Sequence, residues 1–304
     1  MQPTELIYSS HDRCEHIHRD WIVERALASW TNKTLLYLPI SSPSRGDQEY
    51  SWGTFSWYLD RFRVWGLEPR VFFWDENLTR EDVDLFFTWL YHSQVVILGG
   101  GRTDTGLARY WELGARWHGE GDKFRRVLRE RQERGLLTAG FSAGADQLAQ
   151  YSCDGLGPCL GQVRNVIVQL HYDHSRAGHL EWLARQKPDC HVFGLPNDSG
   201  LAVNQGWTAR GNCWQMIRFV VDASWDRAED QHHIKTRQGL KIVHRYADGR
   251  EWVYNGGDAL LRVIFPDGIH QRAWIGSPHH PSLVDYWTQE PTELHSFDEV
   301  LARW

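Results

Sequence analysis

The stretch Leu136 to Ala145, LLTAGFSAGA, sets Ser142 in a Gly-x-Ser-x-Gly frame between Gly140 and Gly144. An apolar run precedes it and a helical segment from Ala145 to Tyr151 follows, so the serine falls at a sharp strand-to-helix turn. Small neighbours let the backbone fold tightly there and leave the hydroxyl exposed. The first N–H groups of the following helix face the place where an oxyanion would develop during acyl transfer. These features give Ser142 the chemistry of a nucleophile. A small-residue helix start packed on a sheet would use the same residue types without chemistry, but the flanking strand and helix weigh against it.

A second glycine run, Gly99 to Gly101, follows the apolar run QVVIL and opens RTDTGLARYWELG, which has helical texture. Consecutive glycines let backbone amides approach a ligand, as an anion nest or as the second half of an oxyanion hole. No Gly-Lys-Ser/Thr follows, and Asp104 takes the last position of a Gly-x-Gly-x-x-Gly frame, so neither nucleotide-binding signature is met. A nucleophilic serine needs a base, and 16 histidines are too many for counting to decide. His171 closes the apolar run NVIVQL, at the carboxyl end where open α/β sheets assemble their sites, and it is the candidate base. His174 and His179 follow on the loop and helix beyond. His11, Cys14, His16 and His18 are ligand types at close spacing, but no second Cys or His cluster at a matching interval accompanies them. Neither a metal nor another cofactor is expected.

Elements must position these residues. Short apolar runs predict strands at Thr34 to Ile40, Arg70 to Trp74, Gln94 to Leu98, Leu136 to Phe141, Asn165 to Leu170 and His191 to Leu195. Helical periods lie between them: roughly Glu49 to Trp65, Thr79 to Tyr91 with Thr79 as N-cap and Asp82 at the acidic third position, and Asp122 to Glu133 closed by Gly135. A docking helix from Asp20 to Trp30 precedes the first strand. The alternation predicts an α/β architecture with a parallel sheet. From Cys213 onward the runs IRFVV, LKIVHRY, EWVY and ALLRVIF are separated by Asp248-Gly249 and Asn255-Gly256-Gly257, which predicts antiparallel hairpins. The expected organisation is an N-terminal extension (1–33), an α/β domain (34–210) and a β-rich C-terminal extension (211–304).

Composition excludes several classes. A chain of 304 residues with 41% hydrophobic and 24% charged side chains is neither disordered nor low-complexity. Its net charge of -6 disfavours a nucleic-acid partner bound through phosphate neutralisation. The five cysteines, Cys14, Cys153, Cys159, Cys190 and Cys213, are odd in number and form no C-x-x-C pair, and no apolar run of membrane-spanning length occurs. A cytoplasmic location without membrane attachment is expected. The 17 tryptophans avoid residues 118–181, the interval that holds Ser142 and His171. Aromatics of the C-terminal part are expected to cap the site or to form a homodimer interface.

Taken in order, these segments resemble peptidase E (the aspartyl dipeptidase) and cyanophycinase, a family of serine peptidases. TLLYLPISS is similar to the family's opening strand, VVILGGGRT to its glycine turn, GFSAGA to its nucleophile turn, QLHYDHSR to its histidine segment and GLPNDSGLAV to its late strand and loop. The likeness covers roughly Thr34 to Gln205. It implies a three-layer parallel-sheet sandwich of the class I glutamine amidotransferase-like (flavodoxin-like) type that hydrolyses an amide beside an aspartyl residue of a small acidic peptide. By the same resemblance Ser142 is the nucleophile and His171 the base; Gly100, Gly101 and Ala143 supply the oxyanion hole, and Arg102 and Thr103 line the substrate pocket. The third catalytic member stays open. Asn197 stands where cyanophycinases carry an acid, with Asp198 next to it, and Gly157 stands near the dipeptidase position with Asp154 close by. The order of preference is Asp198, then Asn197, which otherwise joins the substrate pocket, then Asp154. Arg176 is the one arginine after the histidine, where cyanophycinase-like members place several, so a small peptide is a better substrate than a polymer.

Overall fold

The computed structural model describes residues 2–10, 17–221, 241–268 and 270–304. Its larger sheet has the order β14-β13-β12-β9-β8-β1-β5-β4-β2-β3. Five strands, β1 (Glu5–Tyr8), β2 (Thr34–Leu38), β3 (Glu68–Val71), β4 (Val95–Leu98) and β5 (Leu137–Phe141), run parallel to one another. From β1 outward the sheet turns antiparallel through β8 (Ser199–Trp207), β9 (Cys213–Val221), β12 (Ala259–Ile264), β13 (Gln271–Gly276) and β14 (Val284–Asp285).

The strands β2 and β4 read as nearly unbroken apolar runs because both faces are covered. Leu35, Tyr37, Val95 and Ile97 pack with Ile22 and Ala26 of the N-terminal segment and with Phe55 and Leu59 of α2 (Arg45–Asp60). That segment is a π-helical turn, His18–Val23, running into the short helix α1 (Glu24–Leu27). Leu36, Leu38, Val96 and Leu98 face the other side, toward α3 (Arg80–His92), α4 (Thr103–His118) and α5 (Lys123–Glu133). The Thr79–Asp82 capping box is present, and Ser44 with Asp47 forms a second one that starts α2 four residues before the periodicity predicts.

Three expectations are revised. Residues 1–33, expected as an extension before a first strand at Thr34, contribute β1 to the middle of the large sheet, between β5 and β8. Four residues, one of them Glu5, are too few to show a strand period. The strands β6 (Val166–Leu170) and β7 (His191–Leu195) are parallel as expected but do not join the main sheet. They form a second sheet, β11-β10-β7-β6, with β10 (Ile242–Arg245) and β11 (Glu251–Tyr254). Asp248-Gly249 closes the β10–β11 hairpin, but Asn255-Gly256-Gly257 carries the chain from β11 to β12 in the other sheet.

The second sheet packs against the first through Val168, Leu170, Phe193 and Tyr254. Arg262 of β12 fastens the start of β6: its guanidinium, fully buried, donates to the carbonyls of Asn165 (3.2 Å) and Arg164 (2.5 Å) and to Gln215. Burial pushes that guanidinium down to about 10. His11, Cys14 and His16 of the N-terminal cluster lie outside the described residues, while the ring of His18 is buried against Phe55, Tyr58 and Phe141. Among the described residues no helix is long and apolar enough to cross a membrane.

Ile7 is fully buried in β1, between two paired strands. Ile7→Ala should lower unfolding free energy by about 2–5 kcal/mol. Chemical denaturation measures this; a loss near zero would place β1 outside the core.

Candidate active site

Ser142 follows β5 directly, with φ 48° and ψ −119°, a backbone that a non-glycine residue holds only where its surroundings enforce it. Two glycines make the turn sterically possible. A Cβ on Gly140 would lie 2.3 Å from the carbonyl oxygen of Gly144, and one on Gly144 would lie 2.2 Å from that of Leu98 in β4. The Ser142 N–H donates to Tyr8 O at the end of β1 (3.1 Å), and α6 (Ala143–Leu148) starts at the next residue.

His171 is the residue after β6 and also has a positive φ, 51°. Its Nε2 lies 3.1 Å from Ser142 Oγ, and its Nδ1 lies 2.6 Å from Oδ1 of Asn197. An amide oxygen can only accept, so Nδ1 carries the proton and Nε2 is left bare to receive the serine hydroxyl proton. The side chain at His171 is therefore that of Asn197 and not that of Asp198, the first choice from sequence. Asp198 is buried next in the chain with φ 63°, in a turn that sends successive side chains in different directions. Asn197 stands at the Nδ1 edge of the imidazole, and Ser142 at the Nε2 edge. Asp154 lines the cleft from another loop.

The glycine turn passes over Ser142: a Cβ built on Gly100 would sit 3.5 Å from its Cβ and 4.0 Å from its Oγ. The flanking N–H groups are taken, Gly99 by Leu38 O and Arg102 by Ser41 O, both at 2.9 Å. Those of Gly100 and Gly101 lie between them in the chain, and Gly101 lines the same cleft as Ala143 at the start of α6. Gln147 of α6 holds the turn in place by donating to Ser41 Oγ (2.9 Å) and Thr103 O (3.1 Å).

A cleft of about 730 Å³ opens over Ser142 and His171, lined also by Gly101, Arg102, Thr103, Ala143, Asp146 and Arg176. Arg102 is exposed and clasps Asp104 (Nη2 to Oδ2 2.9 Å, Nε to Oδ1 3.2 Å), which holds the Asp104 carboxyl down to about 2. Thr103 faces inward but donates its hydroxyl to Asp146 (2.9 Å). Asp146 also accepts from Ser152 Oγ (2.7 Å) and Cys153 N–H (3.1 Å). Burial nonetheless pushes its carboxyl above the ordinary range, the three donors pulling the other way. Arg176 reaches the carbonyl of Leu170 (3.3 Å) from the cleft rim. Two contributors have no signal in the sequence: Tyr8, which ends β1 and accepts the Ser142 N–H, and Ser9 just after it, whose hydroxyl accepts the His171 N–H (2.8 Å).

No family model matches the chain, and no curated protein matches it in sequence. In structure it is similar to a peptidase from an acI-B1 Actinobacterium, with a TM-score of 0.57 and 17% identity over 85% of this chain and 98% of that one. A peptidase E candidate from Listeria monocytogenes EGD-e overlaps more loosely, with a TM-score of 0.44 and 15% identity over 66% of this chain and 94% of that one. The chain thus has a mixed α/β, peptidase-like fold, with a large central sheet and flanking helices.

Asn197→Ala removes the acceptor that fixes the His171 tautomer, and any turnover that uses the Ser142–His171 pair should fall by about 10²-fold. Asn197→Asp keeps an oxygen acceptor at that position and should restore most of the rate. Equal rates for Asn197→Ala and the unaltered protein would dissociate Asn197 from the function of His171.

Proposed function

We propose that the protein is a serine-type hydrolase cleaving a peptide or isopeptide bond next to an aspartyl residue of a small peptide. The observation that carries this reading is the hydrogen-bonded series Ser142–His171–Asn197 beneath a glycine turn. Ser142 Oγ attacks the carbonyl carbon while His171 Nε2 takes its proton; the imidazolium then protonates the leaving amine. Water, deprotonated by His171, opens the acyl-enzyme. Backbone N–H groups of Gly100 or Gly101 and of Ala143 hold the oxyanion in both steps.

The parallel β3-β2-β4-β5-β1 core with helices on both faces supports assignment to the glutamine amidotransferase-like, peptidase E and cyanophycinase type. The substrate reading rests on Arg176 at the rim, a guanidinium suited to a carboxylate. With Arg102 tied to Asp104, Arg176 is, among the described residues lining the cleft, the arginine not paired with a carboxylate, which fits a short peptide better than a long acidic polymer. Asn197 favours a second reading, a ligand-binding protein on the same scaffold, because a neutral amide stabilises the imidazolium less than a carboxylate does.

A fluorophosphonate probe separates the two readings: an activated Ser142 is labelled and an idle one is not. Ser142→Ala should abolish labelling and lower hydrolysis by roughly 10⁴–10⁶-fold with the fold intact. A panel of aspartyl dipeptides, isoaspartyl dipeptides and cyanophycin fragments reads the substrate class. Equal turnover by Ser142→Ala and the unaltered protein would remove Ser142 from the mechanism.

A further inference from the structure

We propose that Ser9 is a positioning residue for all of the catalytic machinery, acting through the backbone of His171 and of the turn that carries Asn197. The inference rests on the hydrolase reading above. Ser9 follows β1 and is fully buried. Its hydroxyl accepts the His171 N–H (2.8 Å) and donates to Leu195 O (3.0 Å), while its own N–H donates to Ser199 O (3.0 Å). Leu195 and Ser199 bracket the turn that presents Asn197, and the preceding residue, Tyr8, accepts the Ser142 N–H (3.1 Å). Two consecutive residues, Tyr8 and Ser9, therefore fasten the backbones beside the nucleophile, the base and the residue behind the base. These lie on strands of two different sheets.

The side chain that does this must be small, and must accept and donate at once, which a hydroxyl does and a methyl cannot. His171 has a left-handed backbone, a conformation that persists where neighbours over-determine it. Leu195 O has a second donor in the Tyr172 N–H (2.9 Å), whereas the His171 N–H has Ser9 as its acceptor. Without the hydroxyl that N–H is left unsatisfied, and the residue relaxes toward an ordinary φ, carrying Nε2 away from Ser142 Oγ. Ser9 touches neither substrate nor reacting atoms, so its effect appears in the rate of serine activation and not in substrate binding.

The test compares Ser9→Ala, Ser9→Thr and Ser9→Cys in the full chain by fluorophosphonate labelling rate, KM, kcat and melting temperature. Ser9→Ala should label about 10²-fold more slowly, because displacement of reacting groups by about 1 Å costs that much. Its KM should be unchanged, and Ser9→Thr, which keeps donor and acceptor, should restore most of the rate. If Ser9→Ala does not fold, the order Ser, Thr, then Cys in labelling rate carries the same information. Labelling of folded Ser9→Ala at the unaltered rate, or of Ser9→Cys at the rate of Ser9→Thr, overturns the proposal. If the unaltered protein is itself unlabelled, the hydrolase reading falls. NMR of the His171 imidazole then judges the placement separately: resonances moved in Ser9→Ala and recovered in Ser9→Thr support it, and identical resonances overturn it.

Discussion

Ser142 and His171 hang from different sheets, and the 3.1 Å contact between them exists only because the strand ends of those sheets are held in one register. Most of the structure serves that contact. The strand β6 is tied at its start by the buried guanidinium of Arg262 and at its end by the hydroxyl of Ser9, both from the larger sheet or its margin. Apolar packing fills the space between the two ties. Hydrophobic contact alone is non-directional and would allow the sheets to slide by fractions of an ångström. Hydrogen bonds with fixed donors and acceptors at both ends of β6 remove that freedom.

The same ends concentrate backbone strain. Ser142, His171 and Asp198 all hold positive φ without being glycine, and all lie at or beside the contact. Each such residue costs of the order of 1–3 kcal/mol and survives where surrounding bonds leave it no alternative. The buried polar groups around β1, β6 and the β7–β8 turn supply those bonds. The glycines act by what they lack. Because Gly140 and Gly144 carry no Cβ atoms, β5, α6 and β4 approach closely enough to lift the Ser142 hydroxyl into the cleft.

Electrostatics in the cleft are moderate. The group behind His171 is a neutral amide, which sets the tautomer without adding a negative charge. The carboxylates sit elsewhere, Asp104 clasped by Arg102 at the rim, Asp146 buried under three donors and Asp154 on another loop of the cleft wall. In the proposed mechanism the oxyanion relies on backbone amides, which are fixed dipoles that need no reorganisation as charge develops.

Local chemistry by itself determined a good part of this protein. The apolar runs marked β2, β4, β5, β6 and β7, Thr79 and Asp82 marked a helix start, and Gly140-x-Ser142-x-Gly144 marked the turn, because each depends on neighbours a few residues away in the chain. His171 was legible for the same reason, as the residue ending an apolar run. Which element is central, which sheet a strand joins and which side chain meets the imidazole were decided only by the tertiary structure. The segment Glu5 to Tyr8 is short and carries a glutamate, so its place between β5 and β8 has no local signature. Asn197 and Asp198 are adjacent and equally able to accept a hydrogen bond, and only the course of the turn between β7 and β8 puts Asn197 on His171. Contacts between residues 162 positions apart, such as Ser9 with His171, arise from chain topology, which spacing along the sequence does not encode.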